Sequence, residues 1–153
     1  MGHLALFKEG SVVPRIRATD KQAALEELVD AMVNSAALPA AKRGAVLKAL
    51  LAREQLGSTG VGGGVAIPHV KLEGLSRSSA ALGISSDGLD YAAIDGEPVH
   101  IVFMVVSPAE KAQEHLAVLQ WISKLARHRD FVRFMRRSST VAEVLDLLAE
   151  MGG

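Results

Sequence analysis

The run Val99-His-Ile-Val-Phe-Met-Val-Val106 is apolar at every position but one. Its length suits a strand better than a helix, and most of its side chains are β-branched. A strand without polar alternation keeps both faces out of water, so other elements must cover it on each side. Helices are the usual cover. The run is also far short of the ~20 apolar residues that cross a bilayer.

The covering helices are legible on either side of it. Thr19, three residues before Gln22, reads as a capping box. Leu25, Leu28, Val29 and Met32 then recur at helical spacing, predicting a helix over 20–35. Pro39 is expected in the first turn of a second helix, whose buried stripe is Val46, Leu47, Leu50 and Leu51. Ser107-Pro-Ala-Glu110 reads as another box, with Pro108 at the first helical position and Leu116, Leu119, Ile122 and Leu125 facing inward. Phe131, Phe134 and Met135 suggest a shorter helix. Thr140-Val-Ala-Glu143 caps a last one, with Val144, Leu145 and Leu148 inward. Residues 80–86 predict a further strand, and Val12-Val13 before Pro14 a short edge strand. Strands interleaved with helices predict an α/β fold, a mixed β-sheet flanked by helices on both faces. The 153 residues suit a single domain, expected over 1–153 with its core at about 11–150.

Composition removes several functions. Seventeen basic residues balance seventeen acidic ones, so a polyanion-binding protein is disfavoured and no nucleic-acid partner is expected. The chain has no cysteine, which excludes disulfides, thiolate metal sites and a cysteine nucleophile. The N-terminus carries no basic-then-apolar leader, and Gly2 lacks the Ser or Thr that myristoylation wants where Leu6 stands. A cytoplasmic protein without direct membrane insertion is expected. The neutral total hides one asymmetry: residues 127–137 hold five arginines against Asp130, an excess of four positive charges. Such a run is most often a solvated helix face, and docking of an acidic partner is the alternative.

The segment Gly57-Ser-Thr-Gly-Val-Gly-Gly-Gly-Val-Ala-Ile-Pro-His69 is where chemistry is expected. Five glycines among its first eight residues permit positive φ and bring backbone N–H groups close to an anion; a flexible hairpin connection explains them equally well. It lacks the Gly-Lys-Ser/Thr ending of a nucleotide-hydrolase phosphate loop. It is not a dinucleotide fingerprint either, since Val65 occupies the third glycine site and no strand precedes it. His69 follows a proline at the end of a short apolar run. An imidazole near its ordinary pKa of ~6.5 is largely neutral in the cell and can attack phosphorus directly, although a lone histidine is more often structural.

Arg53-Glu54, Gly57-Ser58-Thr59-Gly60 and Val65-Ala66-Ile67-Pro68-His69 together resemble the fructose/mannitol-type enzyme IIA domain of the phosphoenolpyruvate-dependent phosphotransferase system. The likeness is strongest to its stand-alone, nitrogen-regulatory members. It continues through Ile94-Asp95-Gly96, Val106-Ser107-Pro108 and Glu114-His115-Leu116, and so covers nearly the whole chain. The resemblance implies that His69 accepts a phosphoryl group from the phosphohistidine of HPr or a nitrogen-type paralogue. It implies delivery to a IIB domain, or use of the phosphoryl group as a regulatory signal. His115 matches the second histidine, which hydrogen-bonds the phosphoryl oxygens. Arg53 matches a basic residue near the site, and Ser58 and Thr59 fall in the loop that lines it. The physical chemistry agrees: a loose phosphoryl-transfer transition state spreads charge over three oxygens, and positioned donors stabilise it. Transfer between two neutral imidazole nitrogens needs no metal or other cofactor.

Two positions depart from the family pattern. Val70 stands where glycine or alanine is usual, and a branched side chain there is expected to crowd approaching partners. Gly63 replaces a polar residue and removes a loop hydrogen bond. Val70 is the main support for an alternative, a IIA-like binding module that has lost phosphotransfer. His3, expected in a mobile terminus, His100 and His128 are assigned no chemistry, and His69 with His115 lacks a third ligand for a metal.

Overall fold

Ile101 to Val106 lie at the centre of the sheet without solvent exposure. The structure is a computed structural model describing residues 3–7 and 11–152; Gly2 lies outside them. The central strand β6 (Val99–Pro108) pairs antiparallel with β5 (Ser79–Leu89). Its other edge pairs parallel with two short strands in succession, β3 (Val65–Ala66) and β4 (His69–Leu72). The parallel strand β1 (Val12–Val13) borders β5, and the antiparallel β2 (Gly60–Gly62) borders β3. The order β1-β5-β6-β3-β2, with β4 also on β6, is the mixed sheet the sequence predicts.

Alternation along β6 divides the core in two. Val102, Met104 and Val106 pack with α1 (Lys21–Asn34) and α2 (Arg43–Gln55). Ile101, Phe103 and Val105 pack with α3 (Ala112–Ala126), α4 (Arg129–Arg137) and α5 (Val141–Gly152). Both faces are therefore covered, which is why the run tolerates no alternation.

Several boundaries differ from expectation, each for a local reason. Asp20, not Thr19, caps α1: its carboxylate accepts from Ala23 N at 2.9 Å, while the Gln22 amide donates to Glu26. Pro39 caps a short 3-10 turn (Ala40–Lys42) that precedes α2. On α2, Val46 and Leu50 are buried, whereas Leu47 and Leu51 cover the core edge. Strand β5 continues past Ser86 to Leu89. The expected box at Ser107 does not form, because β6 keeps its pairing with β4 as far as Pro108 and α3 starts only after Lys111. The inward face of α3 is then His115, Val118, Ile122 and Leu125, and Leu116 is exposed. His3 packs on Trp121, with ring centroids 5.5 Å apart.

Candidate active site at a broken strand

Strands β3 and β4 run along one edge of β6 as a single strand interrupted at Ile67-Pro68. Proline has no N–H to give the ladder, but its carbonyl still accepts from Val105 N at 3.0 Å, so the path resumes immediately at His69. His69 thus begins a strand rather than ending one. It pairs with Val105, whose side chain lies on the α3 side of the sheet, and its ring projects the same way. Val70 points to the opposite face and is buried against the α1–α2 layer. The expectation that Val70 crowds approaching partners is therefore overturned by the pleat, which puts successive side chains on opposite faces.

His69 Nδ1 lies 2.7 Å from the Ile67 carbonyl oxygen. A carbonyl only accepts, so Nδ1 carries the proton and donates, and Nε2 keeps its lone pair. The half-buried ring is thereby held in one tautomer with its nucleophilic nitrogen free of protein partners among the described residues.

Helix α3 brings His115 to this ring, with centroids 5.7 Å apart and planes inclined at 48°. His115 is buried, and its Nδ1 lies 2.7 Å from Ser107 Oγ at the end of β6. Burial, reinforced by the neighbouring His69 and Lys71, which disfavour a second positive charge beside them, pushes its pKa down to about 4. At neutral pH His115 is an uncharged imidazole. Lys71 stands two residues beyond His69, on the same face of β4 and exposed to solvent.

Behind the pair, the glycine-rich loop is anchored by a carboxylate. Glu54, buried in the last turn of α2, accepts from Thr59 N at 3.0 Å, from the Thr59 hydroxyl, and from the Tyr91 hydroxyl at 3.1 Å. Lys21 Nζ neutralises it at 3.0 Å and lies over the Tyr91 ring. Burial and the neighbouring Glu54 charge hold the Tyr91 phenol far above its ordinary pKa, with the Thr59 hydrogen bond opposing them. Ser58 Oγ donates to Tyr91 O and accepts from Gly60 N, both at 3.0 Å. Arg53 Nη1 donates to Gly57 O at 2.8 Å. The loop connects to the histidine through Ile67: its N–H donates to Thr59 O at 2.9 Å, and its carbonyl holds the His69 ring.

The structure thus places His69 and His115 side by side, with Ser58 and Thr59 in the adjoining loop and Arg53 in the last turn of α2, reaching that loop through Gly57 O. His100 Nδ1 meets Ser85 O at 2.9 Å, and a ring nitrogen of His128 accepts from Phe131 N at the start of α4. Among the described residues no three metal-binding side chains cluster. Sequence reasoning missed Ser107, Lys71 and Glu54. Lys71 was findable, since a period of two puts it on the face of His69. Ser107 was hidden by its resemblance to a helix cap. Glu54 belongs to the Arg53-Glu54 pair that carries the resemblance, but no local pattern marked it as the anchor of the loop.

A neutral ring nitrogen with a free lone pair, beside a second neutral ring, suits nucleophilic attack on an electrophile bearing oxygens that need donors. Comparison with known proteins identifies the family. The family described as "Phosphoenolpyruvate-dependent sugar phosphotransferase system, EIIA 2" matches residues 5–151. A fructose-specific EIIA component of the phosphotransferase system from Haloferax volcanii is 35% identical over 131 residues, covering 86% of this chain and 84% of that protein. A nitrogen regulatory protein from Bradyrhizobium diazoefficiens is 34% identical over 139 residues, covering 91% and 89%. The crystal structure of the nitrogen regulatory protein IIA-Ntr from Neisseria meningitidis superposes with a TM-score of 0.84 at 28% identity, over 97% of this chain and 99% of that one.

Proposed function

The chain belongs to the EIIA 2 family of the phosphoenolpyruvate-dependent sugar phosphotransferase system, and from that premise we propose that Nε2 of His69 carries the phosphoryl group. The observation that carries this reading is the hydrogen bond from His69 Nδ1 to Ile67 O, which leaves Nε2 as the only ring nitrogen with a lone pair.

In the proposed step, the Nε2 lone pair attacks the phosphorus of a phosphohistidine on HPr or a nitrogen-type paralogue. The donor P–N bond breaks, and its electron pair returns to the donor imidazole. The positive charge on the phosphorylated His69 ring is stabilised through Nδ1–H and the Ile67 carbonyl. The phosphoryl oxygens need donors, and His115 supplies one without adding charge in the tautomer where Ser107 Oγ donates to Nδ1 and Nε2 carries the proton, a pairing that the 2.7 Å contact permits. Arg53 offers further guanidinium N–H groups beyond the one on Gly57. Ser58 and Thr59 act by fixing the loop that holds Ile67, and hence the ring, in place. The phosphoryl group then passes to a IIB domain or is held as a regulatory signal. Relatives of both kinds, a fructose-specific component and a nitrogen regulatory protein, support that pair of outcomes. The alternative of a phosphotransfer-deficient module loses its main support, since Val70 faces the core.

Incubation with phosphoenolpyruvate, enzyme I and HPr tests the proposal. The expected product is an acid-labile adduct of one phosphate by intact mass, lost in His69→Ala and kept in His128→Ala. An adduct that persists in His69→Ala rejects the assignment. Absence of any adduct with HPr or its nitrogen-type paralogue selects the binding-module reading.

A further inference from the structure

A cleft of about 620 Å³ opens at the end of the molecule away from the histidine pair. Helix α3 measures the separation: His115 lies in its first turns and Arg127 just past its end, about 18 Å apart at 1.5 Å per residue. One wall is α4. Arg129, Arg133, Arg136 and Arg137 follow one another at i, i+4, i+7 and i+8, on the face opposite the buried Phe131 and Met135. Arg127 adds a fifth guanidinium from the turn between the helices. The other wall is the turn between β2 and β3, at Gly63, together with Ser86 of β5.

An ordinary solvated helix face interleaves its charges with opposite ones. Here α4 supplies a single carboxylate, Asp130, which engages Arg133 at 2.8 Å, and the carboxylate of the opposite wall, Asp95, is turned to the Gly63 N–H. Arg127, Arg129, Arg136 and Arg137 form no ion pair among the described residues. Like charges one helical turn apart repel, and a concave surface concentrates their field. The opposite wall leaves room for a ligand: a Cβ at Gly63 would meet nothing within 4 Å. Its N–H is already given to Asp95 Oδ2 at 3.0 Å, so recognition falls to the guanidinium groups. Their planar forks match phosphate oxygens two at a time. Val132 and Ala126 give the cleft an apolar patch between them.

We propose that this arginine-lined cleft binds a small molecule carrying a chain of two or more phosphates, separately from phosphoryl transfer at His69. The charge sets the class. Four guanidiniums without carboxylate partners match a tri- or tetra-anion such as a triphosphate better than a single phosphate. The volume falls in the range of small-ligand sites, and a nucleic-acid strand is disfavoured by the zero net charge of the chain. An acidic protein segment has the right sign, but a cleft of this volume, walled by α4 on one side and the Gly63 turn on the other, favours the small ligand.

The test uses the full chain in about 150 mM salt, where exposed long-range attraction is screened beyond ~8 Å. Inorganic tripolyphosphate is titrated by calorimetry into the protein, into an Arg129→Ser/Arg136→Ser double variant and into His69→Ala. The expected result is one bound tripolyphosphate, weakened about tenfold or more in the double variant and unchanged in His69→Ala. Backbone amide shifts should cluster at Gly63, Ser86 and residues 126–137. Because both substituted arginines are exposed, the melting temperature of the unliganded double variant should stay at the wild-type value; if it drops, the amide map of the wild type decides. Tighter binding of ATP than of tripolyphosphate supports the proposal and assigns the apolar patch to a base. No binding of either ligand overturns it. So does binding lost in His69→Ala, which would put the ligand at the histidine pair. Polyglutamate that displaces tripolyphosphate at matched charge would assign the cleft to an acidic protein instead. None of these outcomes depends on whether His69 is the phosphoacceptor, which the adduct assay reads separately.

Discussion

The two histidines of the site are the same residue type held in opposite ways. His69 gives its Nδ1 proton to a carbonyl and keeps a lone pair outward; His115 is buried against a hydroxyl. Burial, with His69 and Lys71 nearby, holds the His115 pKa at about 4, against about 6.5 in an unfolded chain. The sign follows by linkage. Between those values the unfolded chain binds a proton that the folded chain does not, so acid favours unfolding. The contribution of His115 is complete above about pH 6.5 and is lost as pH falls toward 4. Urea unfolding at a series of pH values should show a loss of order 3 kcal/mol from this group. In His115→Gln that component should vanish, leaving the shallower slope of the carboxylates. An unchanged slope in the variant would place the acid sensitivity elsewhere. The candidate acceptor itself was legible from Ala66-Ile67-Pro68-His69. Its tautomer was not, because that depends on where the Ile67 carbonyl points after the chain breaks at Pro68.

At the scale of elements, the glycine-rich loop owes its shape to a partner outside it. Glu54 ties α2 to Thr59, Tyr91 and Lys21. Glu54→Ala would leave a buried phenol, a threonine hydroxyl and a backbone N–H without their acceptor, at an expected cost of about 2–4 kcal/mol. Chemical denaturation measures this directly. Lys21→Met should cost less, since the lysine is partly exposed and the other three donors remain on Glu54. Equal losses would mean that the ion pair, and not the hydrogen-bond hub, carries the stability. Helix ends show why local signals divide. Thr140 and Glu143 form the expected box, with reciprocal hydrogen bonds of 3.1 and 3.2 Å. Ser107, with the same pattern, stays in β6 and faces His115, because pairing with β4 outcompetes an early helix start. A capping box is a local preference that tertiary pairing can override.

For the whole molecule, the neutral formal charge conceals a division of labour along α3: the histidine pair at its start and arginines at its end. The proposed phosphorylation of His69 would add roughly one to two negative charges to a chain with none in excess. Native electrophoresis at pH 8 should therefore show a discrete, faster band for the phosphorylated form, absent in His69→Ala. The hydrodynamic radius should not change, since the two rings already lie together in the unmodified chain. A measured change in radius would show that transfer remodels the fold.

The apolar run from Ile101 to Val106, the helical periodicities around it and the Pro68-His69 step determined the fold class, both helix layers and the candidate nucleophile, because each rests on contacts or patterns local in the chain. Tertiary structure alone decided the rest. The pairing of β4 with β6 sent His69 toward α3 and Val70 into the core. The return of α3 across the sheet brought His115 to His69 from forty-six positions away. That same helix set Arg127 and α4 opposite Gly63. Such encounters depend on strand register and on where packed elements cross, quantities that arise only when distant segments share one core.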